Sequence, residues 1–296
     1  MPVFSSPRSA SLLAPRQSAL VLGILNEEAA AKFSNNPGLH FAMASSTLGI
    51  LIPTVNSETY IDLILRYYKD ARISVKVLID EKSTQDLRPI VEQYFEAISF
   101  SVEGGVIEEA IQQLSYACQT EWVLRLDDDE LPSEEMMRYV LRVVARDEVD
   151  VFGFARHQCA ISTDGRLLRH LDHHVRDHTQ LRLYRPSRLS FSPDCHSPGF
   201  RLEGACWQRA PEAACMIHLD WAVHTYEERK AKIERYDAHT ANAGSKWRHF
   251  YVYEEDPHAK KRFEIFDLPE FDTVTRNLRG RFPELCIPEQ SSEVNS

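Results

Sequence analysis

Long apolar runs and closely spaced cysteines are both missing from this sequence. The longest apolar run near its start, Ala19–Leu25, is far shorter than the ~20 residues that a membrane-spanning helix needs. The acidic Asn26-Glu27-Glu28 follows it at once, without a convincing signal-cleavage site, which argues against secretion. The six cysteines include no CxxC pair, so neither a zinc knuckle nor a dense disulfide framework is indicated. We therefore predict a cytoplasmic protein without a transmembrane segment.

Positive charge is also scarce. The chain has 34 Lys and Arg against 44 Asp and Glu, a formal net charge of −10. Proteins that bind long nucleic acids or anionic membranes do so largely by neutralising phosphates, which needs the opposite balance. The composition therefore predicts no nucleic-acid partner.

The chain divides into three regions by composition and periodicity. Residues 1–45 are rich in Ser, Ala, Pro and Asn and are predicted to form an N-terminal arm that is partly disordered. Residues 46–245 carry a regular apolar pattern and are predicted to form the main domain. Residues 246–296 are predicted to be a C-terminal extension with a helical part and a disordered tail, in which Phe250–Glu255 is a candidate for contact within a homodimer.

Apolar runs alternate with helical spacing in the first half of the main domain. Each run of five to seven apolar residues predicts a buried strand, and apolar residues at three- and four-residue spacing after it predict a helix. Strands separated by such helices form a parallel sheet. We therefore predict an α/β fold with a mostly parallel central sheet flanked by helices. The predicted strands are Leu48–Ile52, Ile73–Ile79, Ile98–Val102 and Trp122–Leu126.

Polar residues follow three of these strands. Asn56, Asp80 and Asp127 each stand after the carboxyl end of a strand. Because the carboxyl ends of parallel strands open on one edge of a sheet, we expect these side chains to share a rim. The pattern predicts a ligand site there.

The run Asp127-Asp128-Asp129-Glu130 places four carboxylates side by side after the fourth strand. Like charges repel, and a hard divalent ion such as Mg²⁺ or Mn²⁺ offsets that repulsion while leaving positions open for diphosphate oxygens. The alternative is an acidic loop that only caps the next helix, through Ser133 and the glutamates after it. The run alone leaves both interpretations open.

Three segments in order resemble the family 2 glycosyltransferases. They are Ile50–Asn56, Val77–Asp80 with the Ser-Thr-Gln-Asp that follows at 83–86, and Trp122–Glu130. The resemblance covers about residues 45–240. It implies the GT-A fold, which is Rossmann-like, with an added C-terminal helical segment.

The resemblance also implies roles for particular residues. Pro53, Asn56 and Asp80 would lie beside the nucleotide of a nucleotide-sugar donor. Asp127 and Asp129 would bind the metal, with Asp128 as the middle position of a DxD motif. Glu81-Lys82 departs from the family pattern, in which a second acidic residue and a glycine are common.

Further residues of the resemblance lie downstream. His218 would complete the coordination of a Mn²⁺ or Mg²⁺ ion, with His224 as the alternative. Arg229, on a predicted helix at about Tyr226–Thr240, would face the diphosphate, although its basic run is equally a solvated charged face.

The acceptor side offers two candidates for the general base. Asp194 and His196 lie where the family carries an acidic or histidine element near the acceptor, and either can take a proton from a hydroxyl. Ser197 stands where a glutamate is expected, and a turn between Pro193 and Pro198 is the alternative interpretation.

The function implied is transfer of a sugar, with inversion, from a nucleoside-diphosphate sugar to a hydroxyl acceptor. A UDP-sugar is the expected donor, and a glycan, a lipid-linked molecule or a small molecule is the expected acceptor. Two alternatives remain: a metal-dependent phosphohydrolase or nucleotidyltransferase that uses the same carboxylates, and a non-catalytic nucleotide- or glycan-binding protein of the same fold.

Overall fold

The structure is a computed structural model that describes residues 47–69, 73–102, 107–171, 179–194, 197–255 and 262–288. Its strands are β1 (Leu48–Thr54), β2 (Ser74–Asp80), β3 (Glu96–Phe100), β4 (Trp122–Arg125), β5 (Glu130–Pro132), β6 (Val151–Ile161), β7 (Leu167–His170), β8 (Thr179–Tyr184), β9 (Ser190–Phe191), β10 (Phe200–Arg201), β11 (Trp207–Arg209), β12 (Cys215–His218) and β13 (Phe263–Ile265). Its helices are α1 (Ile61–Tyr68), α2 (Arg88–Val91), α3 (Ile111–Ala117), α4 (Glu134–Val143), α5 (Asp220–Val223), α6 (Tyr226–His239), α7 (Arg248–Tyr251) and α8 (Asp272–Arg281).

The predicted strands form the parallel part of the sheet. The neighbours β3, β2, β1 and β4 are all parallel, in that order. β8 then pairs antiparallel with β4, and β6 pairs antiparallel with β8, while β11 and β12 run parallel to β6. The α/β fold with a mostly parallel central sheet is therefore confirmed, and an antiparallel extension is added to it.

Both faces of the central strand β1 are covered. Every residue of β1 is buried. Ile50 and Ile52 pack into one apolar cluster and Leu51 into another on the opposite face, as the two-residue repeat of a strand requires. A strand buried on both sides has a continuous apolar sequence, which is why the pattern predicted it.

The helix that follows β2 is shorter than the apolar spacing of its sequence predicts. The spacing of Leu87–Phe95 predicted a helix across the whole segment, but α2 covers only four residues. β3 begins at Glu96, earlier than the predicted Ile98, so the chain must turn before it. Tyr94 and Phe95 still pack against the core from that turn.

The C-terminal region packs onto the sheet. β13 pairs antiparallel with β7. Phe250 and Tyr253 are buried against Trp221, whose Nε1 donates a hydrogen bond of 3.0 Å to the carbonyl oxygen of Phe250. The segment Phe250–Glu255, considered for a dimer contact, thus holds its buried aromatic side chains inside its own chain. No helix of the described ranges is long and apolar enough to cross a membrane.

The helix cap predicted at Ser133 is present. The Ser133 Oγ accepts a hydrogen bond of 3.1 Å from the backbone N–H of Met136 in the first turn of α4. We expect Ser133→Ala to lower the free energy of unfolding by about 1 kcal/mol, the usual value of an N-terminal cap. Urea denaturation measures this. Ser133→Thr, which keeps the hydroxyl, is the control, and an alanine variant as stable as the wild type would contradict the prediction.

Candidate active site

The acidic run follows β4 at the carboxyl edge of the parallel strands. The backbone N–H of Leu126 donates to the carbonyl oxygen of Leu51, which keeps the end of β4 beside β1. The Thr54 hydroxyl at the end of β1 then donates a hydrogen bond of 2.5 Å to Asp128 Oδ2. The carboxyl ends of two strands therefore meet at the run.

The loops after β1 and β2 are joined through Asn56. Asn56 has a φ of 52°, a left-handed conformation that asparagine tolerates better than most residues. Its Oδ1 accepts hydrogen bonds from the backbone N–H and the hydroxyl of Thr84, at 2.7 and 3.0 Å. Asp80 Oδ1 accepts from the backbone N–H of Lys82 at 2.9 Å. Pro53 is buried in β1, opposite Leu78.

The carboxylates of Asp127 and Glu130 are bound to the same arginine. Arg182 Nη2 donates to Asp127 Oδ2 and to Glu130 Oε1, each at 2.6 Å, and Arg156 Nη1 reaches the same Glu130 oxygen at 3.2 Å. Glu130 and Arg182 are almost fully buried, whereas the side chain of Asp127 is 34% exposed. Burial opposes ionisation of Asp127, but Arg182, Arg125 and Arg156 outweigh it and hold its pKa below the usual range. Asp127 is thus an oriented carboxylate at the rim.

Asp128 differs electrostatically from its neighbours. Burial first, and then the negative charge of Asp129, raise the pKa of Asp128 to about 7. The Thr54 hydrogen bond opposes this rise without cancelling it. The three consecutive aspartates therefore occupy three distinct environments.

Asp129 is the member of the run that meets the distant histidine. Antiparallel pairing of β5 with β12 sets His218 opposite Glu130, and the backbone N–H of Leu219 donates to the carbonyl oxygen of Asp129 at 2.8 Å. Asp129 Oδ2 then lies 3.2 Å from His218 Nε2. Gln158 Oε1, on β6, is 2.5 Å from His218 Nδ1 and orients the ring.

A second carboxylate completes this group. Ligand atoms of Asp129, His218 and Asp220 all lie within 4.8 Å of one another, and all three residues are buried. We call these three residues the triad. Asp220 is fully buried, and its Oδ2 has no hydrogen-bond partner among the described residues.

The triad suits a divalent cation on chemical grounds. Two carboxylates and an imidazole match the ligand preferences of Mn²⁺, and carboxylates alone suit Mg²⁺. A second residue that fixes the ring of a ligating histidine, as Gln158 does for His218, is usual at metal sites. An unpaired buried carboxylate oxygen is costly unless a donor or a cation meets it.

Positive groups surround Asp220. Its Oδ1 lies 3.1 Å from Lys232 Nζ and 3.1 Å from His224 Nδ1. Burial opposes the charge of Asp220, but Lys232 first, and then His224 and His218, hold its pKa well below the usual range. Burial also opposes protonation of His224, yet the hydrogen bond and charge of Asp220 raise the pKa of His224. His224 therefore holds Asp220, a residue of the triad, in position through the contact with its Oδ1.

The side chain of Arg229 packs against the C-terminal segment. It is 2% exposed, and its guanidinium is bonded to Glu254 at the end of the C-terminal segment, to the carbonyl oxygen of Tyr251 at 2.8 Å, and to that of His224 at 3.2 Å. Through these hydrogen bonds, Arg229 attaches α6 to the C-terminal segment. Lys232 is the basic residue of α6 that reaches the triad.

The two acceptor-side candidates are described unequally. Asp194 is exposed and accepts a hydrogen bond from the Ser192 hydroxyl. Its backbone oxygen accepts from the N–H of Ser197 at 3.1 Å, which is the turn that the flanking prolines predicted. His196 lies outside the described residues.

The family model for glycosyl transferase family 2 matches residues 49–201, more than half of the chain. The chain belongs to glycosyl transferase family 2. The GT-A fold and glycosyltransferase activity follow from this membership, which favours the predicted transferase over a phosphohydrolase. The matched region includes Asp127–Glu130 but ends before His218 and Asp220.

Comparison with solved structures gives distant likenesses to other glycosyltransferases. The structure of S. aureus TarS 1-349 is 16% identical, with a TM-score of 0.43 over 81% of this chain and 80% of that one. Its complex with UDP-GlcNAc gives a TM-score of 0.42 at the same identity, over 81% and 82%. Glucosyl-3-phosphoglycerate synthase from Mycobacterium tuberculosis, in complex with Mg²⁺ and UDP, is 18% identical, with a TM-score of 0.33 over 40% and 46%. A comparison with curated protein sequences found no match.

Three residues of this candidate site were not predicted from sequence. Asp220 stands two residues after His218, and the spacing His-x-Asp was the signal available for it. Arg182 lies in β8, and the pairing of β8 with β4 brings it beside the acidic run, which its local sequence does not indicate. Lys232 was one of several basic residues on α6, and only the packing of that helix singles it out.

Proposed function

We propose that this family 2 glycosyltransferase moves a sugar, with inversion, from a nucleoside-diphosphate sugar to a hydroxyl acceptor, with Mg²⁺ or Mn²⁺ held by Asp129, His218 and Asp220. The observation that carries the proposal is the triad itself. Two segments meet at the carboxyl edge of the sheet, and they bring Asp129 within 4.8 Å of His218 and Asp220.

The nucleotide would lie over the loops after β1 and β2. Pro53, Asn56 and Asp80 stand there, and the hydrogen bonds of Asn56 to Thr84 hold the two loops together. Asp128 accepts a hydrogen bond from Thr54 at the end of β1, and both Asp127 and Asp128 immediately precede Asp129 of the triad in the sequence. Arg182 fixes Asp127 in its ionised form, so its exposed edge can accept hydrogen bonds from sugar hydroxyls.

A divalent cation bound there would neutralise the charge that develops on the diphosphate leaving group. The chain's own residues supply the rest of the reaction. Inversion needs one displacement, in which the acceptor hydroxyl attacks the anomeric carbon and loses its proton to a base. Asp194 and His196 are the proposed bases. The proposed donor is a UDP-sugar, and the acceptor a glycan, a lipid-linked molecule or a small molecule.

A panel of nucleoside diphosphates tests this proposal. We expect UDP with Mn²⁺ to raise the melting temperature well above the sum of the shifts that UDP and Mn²⁺ give separately, because each helps to hold the other. EDTA should abolish this additional rise in melting temperature. GDP and ADP are the matched controls for the base. If none of the diphosphates stabilises the protein in the presence of Mn²⁺ or Mg²⁺, the proposed donor class is wrong.

A further inference from the structure

The ammonium group of Lys232 lies close to the position that a divalent cation bound to Asp220 would occupy. Its Nζ is 3.1 Å from Asp220 Oδ1, and Asp220 is one of the three triad residues. A cation bound to Asp220 would therefore lie close to the ammonium group, and two positive charges at such a distance repel strongly in a partly buried site.

We propose that Lys232 and the divalent cation compete for Asp220, and that cation binding releases Lys232 to pair with the diphosphate of the donor. This inference rests on the proposed function, because it assumes a metal at the triad and a diphosphate beside it. It assigns Lys232 as a donor-binding residue that couples the two binding events.

The contacts of Asp220 fit this exchange. His224 Nδ1 also lies 3.1 Å from Oδ1, so the carboxylate keeps a partner when Lys232 leaves. Oδ2 is buried and has no hydrogen-bond partner among the residues that the structure describes, which leaves that oxygen for a cation. Asp220 can therefore exchange its ion pair with Lys232 for a metal ion while His224 keeps its carboxylate in position.

The position of Lys232 also fits. It lies in the middle of α6, and its side chain is 23% exposed, whereas Asp220 is fully buried. Its Nζ lies 5.5 Å from the centre of the Tyr251 ring, a second position of weak attraction for an ammonium group. A lysine has a flexible four-carbon stem, so its charge can move towards the open side while the helix stays fixed.

Charge balance gives the exchange its direction. Without metal, Lys232 offsets part of the negative charge of Asp129 and Asp220. A divalent cation offsets both carboxylates and leaves the ammonium group as surplus positive charge. A diphosphate is the group of the donor that matches this surplus, so metal and nucleotide should bind cooperatively through Lys232.

Two titrations of opposite sign test the proposal. Lys232→Met keeps most of the apolar stem and removes the charge. We expect Mn²⁺ alone to bind this variant more tightly, on the order of tenfold, and UDP to bind it more weakly by a similar factor in saturating Mn²⁺, as measured by calorimetry. Lys230→Met, on the same helix but two residues away and so on another face, should change neither affinity.

Two further variants separate loss of competition from misfolding. Lys232→Gln keeps a polar hydrogen-bond donor on the side chain without the charge and should shift both affinities in the same directions. The double change Lys232→Met with Asp220→Asn should lose the gain in Mn²⁺ affinity. In the absence of metal Lys232→Met should melt at a lower temperature than the wild type, and Mn²⁺ should restore it.

The outcomes distinguish this inference from the proposed function. If the wild type binds Mn²⁺ and UDP, and Lys232→Met binds Mn²⁺ no more tightly than the wild type, the competition is refuted and the proposed function stands. If neither protein binds Mn²⁺, both the competition and the metal site are refuted.

Discussion

Replacing Asp129 by asparagine is expected to abolish Mn²⁺ binding and to lower kcat/KM by on the order of a thousandfold, the usual cost of losing a group that stabilises developing charge. Asp129 is 2% exposed and its carboxylate lies 3.2 Å from His218, so the substitution removes a buried oxygen ligand directly at the triad. Calorimetry with Mn²⁺, and initial rates with the donor found in the nucleotide panel, measure the two effects.

Asp127→Asn is the matched control for this change. The Asp127 carboxylate is bonded to Arg182 and does not belong to the triad, so we expect Mn²⁺ affinity to stay within about threefold of the wild type. Equal loss of Mn²⁺ binding in both variants would show that the cation lies between Asp127 and Asp129 and not on the triad. Retention of Mn²⁺ binding by Asp129→Asn would remove Asp129 from the metal site.

Replacing Arg182 by methionine is expected to lower the free energy of unfolding by about 3–5 kcal/mol, the cost of leaving a buried charge without its partner. Glu130 is fully buried and accepts hydrogen bonds from Arg182 and Arg156, while the carboxylate of Asp127 accepts a hydrogen bond from Arg182. Urea denaturation followed by circular dichroism measures the loss.

Arg156→Met serves as the comparison. Arg156 is 14% exposed and contacts Glu130 at 3.2 Å, but Arg182 remains at 2.6 Å in that variant. We therefore expect a clearly smaller loss. The double change Arg182→Met with Glu130→Gln should recover part of the stability, since it removes the uncompensated carboxylate. An Arg182→Met protein as stable as the Arg156→Met protein would contradict the buried-charge explanation.

The parallel half of the fold could be predicted because its strands are buried on both faces. Such strands have continuous apolar sequences, as in β1, and the helix between two of them supplies a second period. The direction of β8 and the lengths of β6 and α2 could not be predicted in this way. They depend on which strand each segment meets, and that partner lies far away in the sequence.

The residues of the candidate site likewise include some that the sequence predicted and others that only the tertiary structure identifies. Asp129 follows a predicted strand and His218 was selected through the family resemblance, and the structure brings the two together. The basic run on α6 shows the limit. Arg229 and Ile233 are four residues apart, share a buried face and pack towards the rest of the chain, whereas Lys232 turns to the triad. Sequence gives the period of a helix but not which face meets which partner.

The pairing of β5 with β12 has a consequence for assembly of the site. A slip of one residue between these strands would turn His218 to the opposite side of the sheet, away from Asp129. The triad can exist only after a strand near the end of the catalytic region has joined one from its middle. On the proposed function, a metal ion would therefore bind at the triad only after these strands have paired, and a shortened chain that ends before Cys215 should not bind Mn²⁺ there.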